Sequence, residues 1–292
     1  MSVEWASLLD QQPVTVTGDD LTLVGGQEGY ILLFHGLTGS PAELAYVAHY
    51  LHNRTGFTIW CPRLVNHGQP LGVLARTRWQ ELEEFARACF KRAIIEAHAA
   101  GLPLFVGGLS LGAILALQLA AEFPESLLGT ICLSPTLFYD GWNVPWIHKL
   151  IRAVSYTPLK YFAYFREEPP YGLKDEFLRE RMAQQYSKTS LRDSSNVANI
   201  GYAHFPVRLF CEIRPLIAKC IRSLNRVVCP VLLVQAEHDD ATGPANSEFI
   251  YRGIKSKHKE IALLHNSYHL VTVDLERASV AATIARFCSS VK

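Results

Sequence analysis

Apolar residues along this chain fall into two alternating rhythms. Short, mainly apolar runs at residues 30–35 (YILLFH), 57–61, 104–107, 127–133 (LLGTICL), 230–236 (PVLLVQA) and 259–264 have the length of strands, and 30–35 reads as a buried one. Helix-length segments lie between them. Residues 79–99 repeat apolar positions at helical spacing (Leu82, Phe85, Ala86, Cys89, Ile94) with charges between, which predicts a surface helix. Residues 42–54 predict a helix opened by Ser40 as its cap, with Pro41 in the first turn. A further helix is expected over 111–122, stopped near Pro124, and a last one over 274–288. Strand and helix alternating in this way predict an α/β protein with a mostly parallel sheet flanked by helices.

The alternation lapses over residues 135–227. This stretch is rich in aromatics (Phe138, Tyr139, Trp142, Trp146, Tyr156, Tyr161, Phe162, Tyr164, Phe165) and is interrupted by Pro145, Pro158, Pro169 and Pro170. It reads as a largely helical insertion, 135–227, into a core made of residues 1–134 and 228–292. Its aromatics are expected either to line an apolar pocket or merely to pack the insertion onto the core. With 292 residues, 49% of them hydrophobic, the chain can bury the core of one large catalytic domain. Lys and Arg total 28 against 27 Asp and Glu, so no net field draws the protein to nucleic acid or to an anionic membrane. The seven cysteines are odd in number, scattered and without CxxC spacing, which argues against a disulfide framework and a zinc site and for a reducing compartment. The opening MSVEWASLLDQQP carries acids and lacks the apolar centre of a signal peptide. Apolar runs such as 113–121 fall well short of the roughly 20 residues that span a bilayer. A cytoplasmic protein without stable membrane insertion is the expectation.

Candidate chemistry centres on Gly108-Leu109-Ser110-Leu111-Gly112, a GxSxG motif that follows a predicted strand and opens a predicted helix. Small flanking residues let the backbone turn sharply, so that the serine hydroxyl stands exposed at the carboxyl edge of the sheet. Without that context the motif is only a glycine-rich turn. A serine needs a base to take its proton and a carboxylate to orient the base. Both occur downstream in the order Ser, acid, His. Glu237-His238-Asp239-Asp240 lies just past the strand 230–236, and His269 lies in the loop beyond 259–264. The neighbours Asp239 and Asp240 compete for the role of acid, with Asp239 preferred, and His265 is a rival to His269. A tetrahedral intermediate also needs two N–H groups aimed at its oxyanion. Leu111 supplies one as the residue after Ser110, and Leu37, in the turn His35-Gly36-Leu37, would supply the other. His35 is expected to order that turn rather than act as a base.

Several segments, taken together, resemble the α/β-hydrolase superfamily, and within it the carboxylesterase and monoacylglycerol lipase group. They are LLFHGLTGSPAEL (32–44), CPRLVNHGQPLGVLARTRWQEL (61–82), VGGLSLGA (106–113), PVLLVQAEHDD (230–240) and NSYHLVTVD (266–274), and the resemblance covers nearly the whole chain. It implies an α/β-hydrolase fold with a cap, Asp239 as acid, His269 as base, and Leu37 and Leu111 as backbone oxyanion donors. The sequence departs from the group's usual motifs at Asn66-His67-Gly68, in place of Gly-His-Gly, and at Ser267-Tyr268-His269, in place of Ser-Gly-His.

The resulting expectation is a serine hydrolase that cleaves small-molecule esters of apolar acyl groups through an acyl-enzyme, without metal or cofactor. The same machinery serves thioesterases, amidases or peptidases, acyltransferases and carbon–carbon hydrolases. A serine nucleophile argues against haloalkane dehalogenase and epoxide hydrolase chemistry. A non-catalytic member that binds a small apolar ligand is the alternative from a different class.

Overall fold

The computed structural model describes residues 20–144, 153–154, 157–188 and 201–292. The opening segment, Pro145, Trp146 and Tyr156 lie outside the described residues. Strands β1 (Leu21–Leu23), β2 (Gly29–Phe34), β3 (Phe57–Cys61), β4 (Leu104–Leu109), β5 (Gly129–Leu133), β8 (Val231–Ala236) and β9 (Lys259–Leu264) form one sheet in the order β1-β3-β2-β4-β5-β8-β9. All neighbours are parallel except β1, which pairs antiparallel to β3. Every residue of β2, β3, β4, β5 and β8 is buried, the result of covering both faces of a parallel sheet.

Strand alternation divides the core in two. Leu32, Phe34, Trp60, Val106, Cys132 and Leu233 face α3 (Trp79–Ala99) and α4 (Leu111–Glu122), whereas Ile31, Leu33, Ile59, Phe105, Ile131 and Leu232 face α1 (Ala45–Thr55) and the C-terminal α8 (Arg277–Ser290). A single turn, α2, spans Leu71–Leu74. Helix α4 is apolar on all sides because it is covered on all sides. Its one buried polar side chain in mid-helix, Gln118, donates to the carbonyl of Leu216 at 2.9 Å.

Between the paired strands β5 and β8 the chain leaves the sheet. The described part of this excursion contains β6 (Tyr164–Arg166), α5 (Glu176–Ser187), β7 (His204–Pro206) and α6 (Val207–Ser223). β6 and β7 form an antiparallel ribbon that the sequence reading did not anticipate, because strands of three residues are too short to display a period of two. Leu209, Ile213, Leu216, Ile217 and Cys220 of α6 belong to the main core, so this helix is packed onto the body. A smaller cluster joins Met182 and Tyr186 of α5 to Tyr171, Leu173 and Ala203. Helix α7 (Ala245–Gly253), between β8 and β9, was likewise not anticipated.

Candidate active site

Ser110, Leu37, Asp239 and His269 all lie beyond the carboxyl ends of parallel strands: β4, β2, β8 and β9 respectively, the edge where open α/β sheets place their ligands. Ser110 follows β4 directly and has φ 55° and ψ −110°, a conformation L-residues rarely adopt. The fold enforces it. Ser110 N–H donates to the Leu133 carbonyl at 2.8 Å, and α4 begins at the next residue. That helix presses on β2 so closely that a Cβ added at Gly112 would sit 2.1 Å from the Phe34 carbonyl oxygen, and one at Gly108 would sit 2.5 Å from it. Both glycines of the motif are therefore required by contact. The hydroxyl of Ser110 pairs with that of Thr136 at 2.8 Å.

The acidic loop separates its two neighbours. Asp239, 2% exposed, accepts from the N–H groups of Ala241 and Thr242 (both 2.8 Å), from Gln235 Nε2 (3.1 Å) and from the Thr242 hydroxyl (3.2 Å). Its remaining contact is His269 Nδ1, at 3.0 Å from Oδ2 and 3.1 Å from Oδ1. A carboxylate so completely bonded is held in one rotamer, and it leaves Nε2 as the free nitrogen of His269. Asp240 instead meets backbone: its Oδ1 accepts from His269 N–H at 3.2 Å and its Oδ2 from Gly172 N–H at 3.1 Å. The rival His265 points outward, its side chain 72% exposed and paired with Glu237 at 2.7 Å.

The turn carrying Leu37 is gripped from three sides. His35 donates through Nδ1 to the Gly36 carbonyl (2.8 Å) and accepts at Nε2 from Leu64 N–H (3.0 Å), which fixes its tautomer. His67, the centre of the unusual Asn66-His67-Gly68, reaches the Leu37 carbonyl through Nε2 at 2.6 Å. Glu43 accepts from Gly36 N–H at 3.0 Å. Burial pushes the pKa of both histidines below the ordinary imidazole value. The N–H of Leu111 lies in the first turn of α4, where no helical carbonyl is available to it.

A cavity of about 140 Å³ opens among these elements, lined by Leu37, Ser110 and His269 together with Glu43, Glu167 and Asp240. Its apolar wall comes from Tyr139, Met182, Phe205, Phe210 and Leu270. Leu111 and Asp239 are not among the lining residues. Of the aromatics of residues 135–227, Tyr139, Phe165, Phe205 and Phe210 form one cluster, with Phe165 and Phe205 stacked at 5.0 Å, while Trp142, Tyr161 and Phe162 are exposed.

Charge in the cavity is dominated by buried acids. Burial raises Glu43 to about 7 despite its bond to Gly36 N–H, and raises Glu167 to about 8 despite a hydrogen bond from Tyr186. Burial raises Asp240 as well. For His269, burial disfavours the cation, but the charge and hydrogen bond of Asp239, with the charges of Asp240 and Glu43, lift it to about 9. The sequence reading missed Thr136, Thr242, Gln235, Glu43 and Glu167. Only Gln235 left a signal, as a polar residue in an otherwise apolar strand. Among the described residues no group of three or more His, Cys, Asp or Glu could hold a metal, and no helix is long and apolar enough to cross a membrane. All seven cysteines are free.

A parallel sheet flanked by helices, with an elbow serine after one strand and a bonded acid and histidine beyond two later ones, defines an α/β-hydrolase. The chain belongs to the family described as serine aminopeptidase, S33, whose model matches residues 25–276. It is 26% identical to a thermostable monoacylglycerol lipase of Bacillus sp. (strain H-257) over 274 residues, covering 93% of this chain and 94% of that one. It is 24% identical to a carboxylesterase of Bacillus subtilis (strain 168), covering 93% of this chain and 96% of that one. Among solved structures, a metagenome-derived lipolytic enzyme superposes with a TM-score of 0.74 at 25% identity, over 96% of this chain and 100% of that one. A soluble variant of the monoglyceride lipase of Saccharomyces cerevisiae superposes with a TM-score of 0.76 at 16% identity, over 94% of this chain and 90% of that one, a likeness of fold.

Proposed function

We propose that this protein is a serine hydrolase that cleaves carboxylic esters of apolar acyl groups through an acyl-enzyme, with Ser110 as nucleophile, His269 as base and Asp239 as the orienting acid. One observation carries the reading. Asp239 bonds Nδ1 of His269 at 3.0 Å, and that same imidazole lines one cavity with Ser110. Ser110 Oγ attacks the acyl carbon as its proton passes to His269 Nε2, and the carbonyl oxygen becomes an oxyanion facing the N–H groups of Leu37 and Leu111. Collapse expels the alcohol, which takes the proton back from His269. Water then repeats the cycle on the acyl-enzyme, releasing the acid and restoring Ser110. An apolar acyl group is favoured by the wall of Tyr139, Phe205 and Phe210, since each buried methylene contributes about 0.8 kcal/mol. In this reading residues 135–227 are a cap that supplies the wall, and the seven free cysteines favour a reducing compartment.

Fluorophosphonate labelling tests the proposal. The folded protein should gain one phosphonyl adduct on Ser110, and Ser110→Ala should gain none. Absence of labelling in folded wild type would overturn the enzymatic reading. Turnover of p-nitrophenyl esters from acetate to palmitate then ranks acyl length, and no turnover on any of them would redirect the assignment to thioesters or amides.

A further inference from the structure

The loop that carries His269 is bonded to the segment after β6 on both sides of the imidazole. On one side Asp240 bridges His269 N–H (3.2 Å) and Gly172 N–H (3.1 Å), while Leu270 N–H donates to the Gly172 carbonyl at 2.8 Å. On the other, the fully buried Asp274 accepts from Tyr268 N–H (2.7 Å) and from the N–H groups of Lys174 (2.8 Å) and Asp175 (2.9 Å). The contact leaves no slack. Gly172 has φ +72°, and a Cβ there would fall 2.9 Å from Leu270 Cγ and 3.3 Å from His269 Cβ. The other end of the excursion grips the acid loop itself, with Gly141 N–H on the Ala241 carbonyl (3.1 Å) and Asn143 N–H on the Asp240 carbonyl (3.0 Å).

We infer that Asp240 is a positioning residue that locks the cap to the catalytic base, so that His269 is correctly placed only when residues 172–175 are docked. This rests on the assignment of His269 as base. At this contact each carboxylate is bonded by backbone N–H groups, and such buried acceptors are costly to lose because every donor they served is left unpaired. A cap that only walled the pocket would have no use for bonds to the backbone of the base.

The variants Asp240→Asn and Asp274→Asn test this in the full-length protein. Asparagine keeps the shape but presents one acceptor in place of two, so one N–H of each bridge loses its partner. Loss of kcat/KM of about ten- to a hundredfold is expected for Asp240→Asn, the range that small misplacements of catalytic groups produce. The loss should lie in kcat and be equal for p-nitrophenyl acetate and decanoate, since it concerns the base and not the acyl wall. The acid limb of the kcat/KM profile should also move to lower pH, because one of the carboxylates facing His269 is gone while Asp239, Glu43 and Glu167 remain. Combined with Asp274→Asn the two losses should be less than multiplicative, as both open the same contact. A loss confined to KM or growing with acyl length, or an unmoved acid limb in a folded variant, overturns the inference. Wild type that turns over esters while Asp240→Asn matches it defeats the inference alone, whereas wild type that fails to label with fluorophosphonate defeats the assignment beneath it. Phe177→Ala, an exposed residue of α5, should leave rate and profile unchanged.

Discussion

Glu43 is a buried acid that accepts from Gly36 N–H in the turn carrying Leu37. Its pKa is raised from 4.5 to about 7, so the fold favours its neutral form. The sign follows from linkage: below about pH 4.5 the group is neutral whether folded or unfolded, and the destabilisation grows from there until it is complete above about 7. Glu43→Gln should therefore raise stability at pH 8 by up to about 3 kcal/mol and leave it nearly unchanged at pH 4, as read by denaturant melts at the two pH values. His269 leads to a second expectation. A base must be neutral to accept a proton, and this imidazole is lifted to about 9, so kcat/KM should climb through neutral pH and level off only near pH 9. Asp239→Asn should depress kcat by about four powers of ten and lower that limb, a far larger loss than for Asp240→Asn. Adjacent aspartates with such different partners could not be assigned from the residues alone. Their positions differ by one residue, and their roles differ by which backbone each meets.

At the scale of strand and helix, the elbow depends on how closely α4 approaches β2. Gly112→Ala would place a methyl 2.1 Å from a backbone oxygen that has no rotamer to escape into. We expect it to cost about 1–3 kcal/mol and to reduce activity more than stability, because the shift it forces falls on the first turn after Ser110. Thermal melting and labelling of the remaining folded fraction separate the two effects. Elements of this kind were legible in advance. The helices at Trp79–Ala99 and Leu111–Glu122 have the predicted boundaries, and β3 and β9 do too, because a helical period or an apolar run of fitting length is bounded there by a glycine, proline or charge. The strands of the ribbon, three residues each, and α7, nine residues after a loop ending in Gly243-Pro244, carried too little pattern to be read.

Across the molecule, the segment between β5 and β8 contributes to the body and the site at once. Its helix α6 completes the core against α3 and α4, while Phe205 and Phe210 close the cavity over Ser110. Phe210→Ala should raise KM for decanoyl esters several-fold with little change for acetate, given about 0.8 kcal/mol per methylene left without its wall. An equal effect on both esters would mean that the cluster of Tyr139, Phe165, Phe205 and Phe210 supports the fold and does not receive the acyl chain.

Order along the chain was enough to place a serine, an acid and a histidine at successive strand ends, because strand periodicity and the GxSxG turn are local properties of sequence. Order could not say that Asp239 meets the imidazole while Asp240 meets the main chain at Gly172 and His269, that His265 turns to solvent, or that Glu43 and Glu167 converge on one cavity. Those contacts join residues dozens to more than a hundred positions apart. They are fixed by the twist of the sheet, the close packing of α4 on β2 and the docking of residues 172–175, none of which leaves a periodic trace in the chain.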